Sequence, residues 1–231
     1  MKMPYKLTAL FMALGSTALL SGCFHDDDNP PVPREFSVEV SNLTNHQPFA
    51  PVGVVLHEDG YHPYTLGAAA STALETMAEG GDVSDLISEA DSHTMTLDTM
   101  TGTGIIAPGS NEILTVQSLN TQPRLSLVGM LVNTNDGFIG LNGVDVSGLG
   151  LNESLDLKAR VYDAGTEANS EAAADVPGQG GEGFNASRND RDFVAVHPGV
   201  ISMDDGLSGS SLDQSHRFDN PSARIVVTRT R

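Results

Sequence analysis

Two apolar runs in the middle of this chain stop at a carboxylate. Leu125-Ser-Leu-Val-Gly-Met-Leu-Val-Asn-Thr-Asn leads into Asp136, and Leu155-Asp-Leu-Lys-Ala-Arg-Val-Tyr leads into Asp163, with Glu167 four residues further on. A buried strand that stops at an aspartate delivers that side chain to the rim of a core. Acids delivered in this way by separate strands can meet around a hard cation such as calcium, which takes oxygen ligands at about 2.3–2.6 Å. Asp163 and Glu167 would share one face of a helix, but Gly165 and the preceding strand-like alternation favour a turn. A tight turn can bring both carboxylates to one point. The plainer alternative is that aspartate next to glycine forms turns through its own backbone hydrogen bonds, and both Asp136-Gly and Asp163-Ala-Gly qualify. Three carboxylates crowded together without a cation would repel and raise at least one pKa. An ion bound only by the folded chain would stabilise it.

The elements that must position these groups are strands. Leu125 to Val132 is expected as a central strand packed on both faces, with something close against the backbone at Gly129. Leu155 to Val161 alternates, with Leu155, Leu157, Ala159 and Val161 pointing one way. Glu35 to Ser41 alternates through Phe36, Val38 and Val40, and Val52 to His57 and Glu112 to Ser118 read as further strands. His93 to Met100 alternates weakly. Asp192 to Val196 and Arg224 to Thr228 are the last two strands, the latter expected beside the first. Ala68 to Glu79 is the best helix candidate, stopped by Gly80-Gly81, and Asp82 could cap a second short helix through Ala90. These helices look like an insertion covering one end of a sandwich, and no chemistry is assigned to them. Gly140 to Gly150 holds four glycines and reads as an edge or loop. Residues 164–191 and 203–220 have the composition of long surface loops.

A family resemblance rests on these same stretches. Asn133-Thr-Asn-Asp136-Gly-Phe-Ile-Gly140 followed by Tyr162-Asp163-Ala-Gly-Thr-Glu167 resembles the spondin N-terminal domain. Phe36 to Leu43, Gln47-Pro-Phe-Ala-Pro51 and Val196-His-Pro-Gly199 fit in the same order, covering roughly residues 35–230. The resemblance implies a C2-like antiparallel β-sandwich, all-β with one or two short helices in a loop insertion, serving adhesion. It also implies a bound calcium ion whose ligands carry over to Asp136, Asp163 and Glu167. Animal members usually have aspartate at the last position, so Glu167 is a departure whose longer arm keeps the charge. Those members are disulfide-linked, whereas this chain has a single cysteine and can form no intrachain disulfide.

Twelve basic residues face 30 acidic ones. Such a surface repels nucleic-acid phosphates and favours cations, so no nucleic-acid partner is expected. A solvated acidic surface explains most of this charge without any specific site. Lys2 and Lys6 precede an apolar stretch from Leu7 to Leu20, too short for a comfortable membrane span. It ends in Leu20-Ser21-Gly22-Cys23, which resembles the lipobox of bacterial lipoproteins. Residues 1–22 are therefore expected as a signal peptide, Cys23 as the acylated residue, and 23–34 as an acidic, proline-rich tether before the domain at 35–231. Several acyl chains, at about 0.8 kcal/mol per buried methylene, anchor a protein without a transmembrane helix. Phe24 in place of a retaining aspartate favours the outer membrane.

Enzyme readings find little support. The sequence holds no G-x-S-x-G elbow, P-loop or dinucleotide fingerprint. His57, Glu58, Asp59 and His62 form a polar cluster without metal-site spacing, and His197 in His-Pro-Gly is more often a rigid turn than a base. The expectation is a lipid-anchored, non-enzymatic envelope protein with a calcium-binding spondin-like domain for an unknown surface protein or polysaccharide. A hydrolase of envelope polysaccharide and a structural component without a ligand are the alternatives.

Overall fold

The computed structural model describes residues 30–231; the expected signal peptide, Cys23 and the first part of the tether lie outside the described residues. Nine strands occur in this region: β1 (Arg34–Asn42), β2 (Gly53–His57), β3 (Thr96–Thr101), β4 (Asn111–Ser118), β5 (Arg124–Met130), β6 (Gly137–Asp145), β7 (Ser154–Asp163), β8 (Ala195–Val196) and β9 (Ala223–Arg229). Their spatial order is β3-β2-β5-β6-β7-β9-β1-β4, with β8 against β7, and the named pairs are antiparallel. The amide of Gln117 on β4 donates to the Asp98 carboxylate on β3 at 2.7 Å, so the two ends of this ribbon meet. The result is an all-β, nearly closed sandwich.

Closure depends on β7. Its last residues, Arg160 to Asp163, pair with β6, whereas Ser154 to Ala159 pair with β9. One strand therefore belongs to both sheets, and its alternation turns Ala159, Val161 and Asp163 inward along its whole length. Inward residues of all the long strands, among them Phe36, Val38, Leu114, Ile139, Val161 and Ile225, form the main core. Fully burying such a side chain is worth about 1.5–3 kcal/mol, and this supply stands in for the missing disulfide and tryptophan.

β5 is packed on both faces, as its composition predicts. Leu125, Leu127 and Leu131 enter the main core, while Val128 and Met130 enter a second cluster under two helices. These are α1 (Thr72–Gly80) and α2 (Ser84–Asp91). Ser71 caps α1 by accepting the amide of Leu74 at 3.2 Å, and Gly81 stops it in the left-handed conformation. The helix thus begins four residues later than alanine content suggests, because the cap and not the propensity sets its start. A Cβ at Gly129 would lie 2.6 Å from the Val52 side chain, so the close approach expected there is present.

Two expectations need correcting. The stretch beginning at Gly140 is not an edge or loop throughout, because β6 runs on to Asp145. Gly140 marks a close approach and not a turn: a Cβ there would meet the Tyr64 hydroxyl at 2.6 Å. Of the strand expected over 192–196, only Ala195 and Val196 pair. The backbone just before them is held elsewhere, by Asp192 donating to the carbonyl of Gly165 at 2.8 Å and Val194 to that of Ala68 at 2.8 Å.

Candidate metal centre

Asp136 and Asp163 are neighbours because β6 and β7 pair antiparallel with Gly137 opposite Asp163. The turn between β5 and β6 fixes the first of them. Gln47, fully buried, bonds both the amide of Asn133 (3.1 Å) and its carbonyl (3.0 Å). Thr134 closes the turn through its hydroxyl, which donates to the Leu131 carbonyl at 2.7 Å and accepts the Gly137 amide at 3.0 Å. The Gln47 and Asn133-Thr134 motif residues therefore build the platform for Asp136.

The turn after β7 wraps over that platform. Oδ1 of Asp163 accepts the Gly165 amide at 2.9 Å. Gly165 is left-handed, at φ 73°, and a Cβ on it would lie 2.3 Å from the Phe193 carbonyl oxygen. Only glycine meets both demands. This bend aims the amides of Thr166 (2.8 Å) and Glu167 (3.1 Å), with the Thr166 hydroxyl (3.2 Å), at Oδ2 of Asp136. Oδ1 of Asp136 is buried and has no hydrogen-bond partner. The Asp-Gly turn reading is therefore correct for Asp163, but it does not account for Asp136, whose carboxylate serves another segment.

The three expected site residues are not equivalent. Asp136 and Asp163 have no exposed surface and Glu167 very little. Asp163 is fully engaged: its Oδ2 accepts from Asn169 at 2.8 Å and faces the Arg191 guanidinium at 2.6 Å. Burial, and then the nearby Asp163 charge, push the Asp136 carboxyl up to about 7. Glu167 is pushed up to about 8, first by burial and then by Glu79, Asp175, Asp136 and Glu182. The three expected carboxylates come from the β5–β6 turn, the end of β7 and the loop beyond it.

The donor set suits a hard cation. It is all oxygen, buried, and includes an orphaned atom at Asp136 Oδ1. Desolvating a carboxylate oxygen without a partner is costly, and a divalent ion is the chemical species that would offset several at once. Among the described residues no three His, Cys, Asp or Glu side chains form a ready-made cage. Holding an ion at Asp136 would therefore require side chains to leave the positions they occupy here. Two histidines singled out from the sequence are held by hydrogen bonds within the fold. His57 is buried between Ser126 Oγ (2.8 Å) and the Glu58 carbonyl (2.6 Å). His197 accepts the Gly199 amide on Nδ1 at 2.9 Å in a rigid turn, and burial pushes its pKa down to about 4.

The fold is a nearly closed antiparallel sandwich with buried acids at its strand ends. The chain belongs to the spondin N-terminal family, Spondin_N, which matches residues 33–179. No curated protein matches the chain. The matched region holds Asp136, Asp163, Glu167 and Glu79, while Arg191 lies beyond it. This family is not known as enzymatic.

Proposed function

We propose that this protein is a lipid-anchored, non-enzymatic component of a bacterial envelope whose spondin domain binds a surface protein or polysaccharide, with calcium completing the fold at the strand ends. Cys23 is the anchor, exposing the domain from the outer membrane. Asp136 and Glu167 hold the ion, and Asp163 supplies the third carboxylate when Arg191 gives way. The observation that carries the calcium reading is the orphaned, buried Oδ1 of Asp136, whose partner oxygen is tied down by three donors from the Asp163–Glu167 turn. Calcium stabilises the native state here because it binds oxygens that the folded chain alone gathers.

Calorimetry of the full chain in calcium and in chelator tests this. Calcium should raise the melting temperature by several degrees, and Asp136→Asn should abolish the rise while the chain still folds. An unchanged melting temperature on chelation would sink the reading. For the anchor, Cys23→Ser should move the protein from the detergent phase to the aqueous phase; continued detergent partitioning would show that something else holds it.

A further inference from the structure

We infer that the cleft beside Arg160, on the outward face where β7 passes from one sheet to the other, binds an acidic sugar residue of a polysaccharide. The inference rests on the ligand-binding reading above and gives it a place and a chemical class; it does not depend on calcium.

β7 turns Lys158, Arg160 and Tyr162 outward, between Ala159, Val161 and Asp163, which face the core. The strand pairs with β6 from Arg160 onward and with β9 up to Ala159, and a cleft opens on each side of this outward row. One, of about 350 Å³, is lined by Tyr64, Leu66, Asn142 and Tyr162 among others. The second, of about 190 Å³, is bounded by Asn220 and Pro221. Lys158 and Arg160 line both. The larger cleft falls within the range of about 300–1,000 Å³ typical of small-ligand sites.

Charge here runs against the rest of the molecule, which has 30 acidic residues and 12 basic ones. Lys158 and Arg224 share the carboxylate of Asp156, at 2.7 and 2.8 Å, and Arg160 adds a further cation. Every other lysine and arginine among the described residues bonds a carboxylate or a backbone carbonyl. Arg160 makes no such contact among the described residues, and it is exposed. A guanidinium in that state is available for a bidentate contact with a carboxylate.

The wall beside it is aromatic and held in place. Gly140 lies opposite Arg160 on β6, and a Cβ there would come within 2.6 Å of the Tyr64 hydroxyl, so the missing side chain lets the Tyr64 ring lie over the strand. Asn142 donates to the Tyr64 carbonyl at 2.7 Å. Tyr162 packs against Tyr64 with ring centres 5.0 Å apart and remains half-buried. A tyrosine presents an apolar ring with a polar tip, which suits the C–H face and hydroxyls of a pyranose. In the smaller cleft, Asn220 spends Oδ1 on the Val161 amide at 2.8 Å and keeps its amide nitrogen for a sugar hydroxyl.

Other anions fit less well. A densely charged polymer such as nucleic acid meets acidic surface beyond the cleft. One carboxylate per sugar is a density that a single basic cleft can serve, since charges farther off than about 8 Å are screened. An extended peptide finds no ladder beside Arg160, because the Val161 amide is taken by Asn220 and its carbonyl by the His197 amide at 3.1 Å.

Isothermal titration of the full chain tests the site, in chelator so that no calcium bridges protein and sugar. The probes are a glucuronate-containing tetrasaccharide, its methyl ester and inorganic phosphate. Wild type is compared with Arg160→Gln, Arg160→Lys and Arg231→Gln, the last removing an equal charge elsewhere. Wild type should bind the acid, and Arg160→Gln or esterification should each weaken binding about tenfold or more. Arg160→Lys should fall between, and Arg231→Gln should match wild type. Equal affinity of wild type and Arg160→Gln for the acid overturns the site and leaves the ligand-binding reading standing. Equal binding of acid and ester overturns the acidic class, and that arm needs no variant to fold. Inorganic phosphate binding as tightly as the acid would mark a general anion patch and overturns the sugar. Failure of the wild type to bind the acid overturns the inference; the ligand-binding reading falls with it only if the domain also retains nothing from an envelope extract.

Discussion

The Arg191 guanidinium lies 2.6 Å from Oδ2 of Asp163, a carboxylate with no exposed surface. This ion pair competes with any cation for the same oxygen. Breaking a buried pair from one side costs about 3–5 kcal/mol. The Arg191 side chain is one-third exposed, so solvent screening reduces that figure, to about 1–3 kcal/mol. Arg191→Gln should therefore lower the stability of chelator-treated protein and at the same time raise calcium affinity, by roughly tenfold or about 1.4 kcal/mol. Paired denaturation and calcium titrations would show the two effects moving in opposite directions. Loss of both stability and affinity would mean that Arg191 builds the site instead of guarding it.

Glu171 offers a pH dependence away from the metal centre. It is buried in the left-handed conformation at φ 55°, and one of its oxygens accepts the Ile201 amide at 3.1 Å while the other has no partner. Burial raises its carboxyl to about 7. A carboxyl whose folded pKa is raised contributes stability that is fully present below the unfolded value near 4.5 and is lost as pH rises through 7. Each pKa unit corresponds to about 1.4 kcal/mol, so the loss should reach about 3–4 kcal/mol. Glu171→Gln keeps the acceptor for Ile201 and removes the charge. Its melting temperature should match wild type at pH 4.5 and exceed it at pH 8; equal values at both would refute the assignment.

The sandwich could be read from the sequence because strand alternation is a local signal, as Phe36-Val38-Val40 and Leu155-Leu157-Ala159-Val161 show. The meeting of Asp136 with Asp163 was anticipated from two strand ends, and strand pairing brings them together. Gly140 hid the continuation of β6, because sequence alone does not distinguish a glycine that makes room for Tyr64 from one that turns the chain. Arg191 is not legible in the sequence as the partner of Asp163. It reaches that carboxylate through the tertiary placement of a long loop, and no neighbour in sequence announces the pairing.

Gly165 ties the centre to the loop beyond it. Its positive φ and the Phe193 carbonyl oxygen 2.3 Å from any added Cβ leave no room for a side chain. Gly165→Ala should cost about 2–4 kcal/mol, combining backbone strain with a forced displacement of residues 192–193. Because the same bend aims the Thr166 and Glu167 amides at Asp136, calcium binding should fail with it. Chemical denaturation and calcium titration measure the two losses; intact calcium binding in a destabilised variant would separate the bend from the centre.

Arg188 pins the other end of that loop. Its guanidinium contacts the Glu75 carboxylate at 2.6 Å and the Ala70 carbonyl at 2.9 Å, and it also pairs with Asp192. Glu75 is almost fully buried on α1, so removing the arginine strands a carboxylate among apolar neighbours. The Arg188 side chain is one-quarter exposed, which discounts the pair by screening and puts the cost at about 1–3 kcal/mol. The loss falls on local opening as well as global unfolding, since few apolar contacts hold 180–192 and such segments open at low free energy. Arg188→Ala should make this segment a preferred site of limited proteolysis while the strands stay protected. Adding Glu75→Gln removes the stranded charge and should restore part of the global stability, but not the protease resistance. Restoration of both would place the effect in the helix alone.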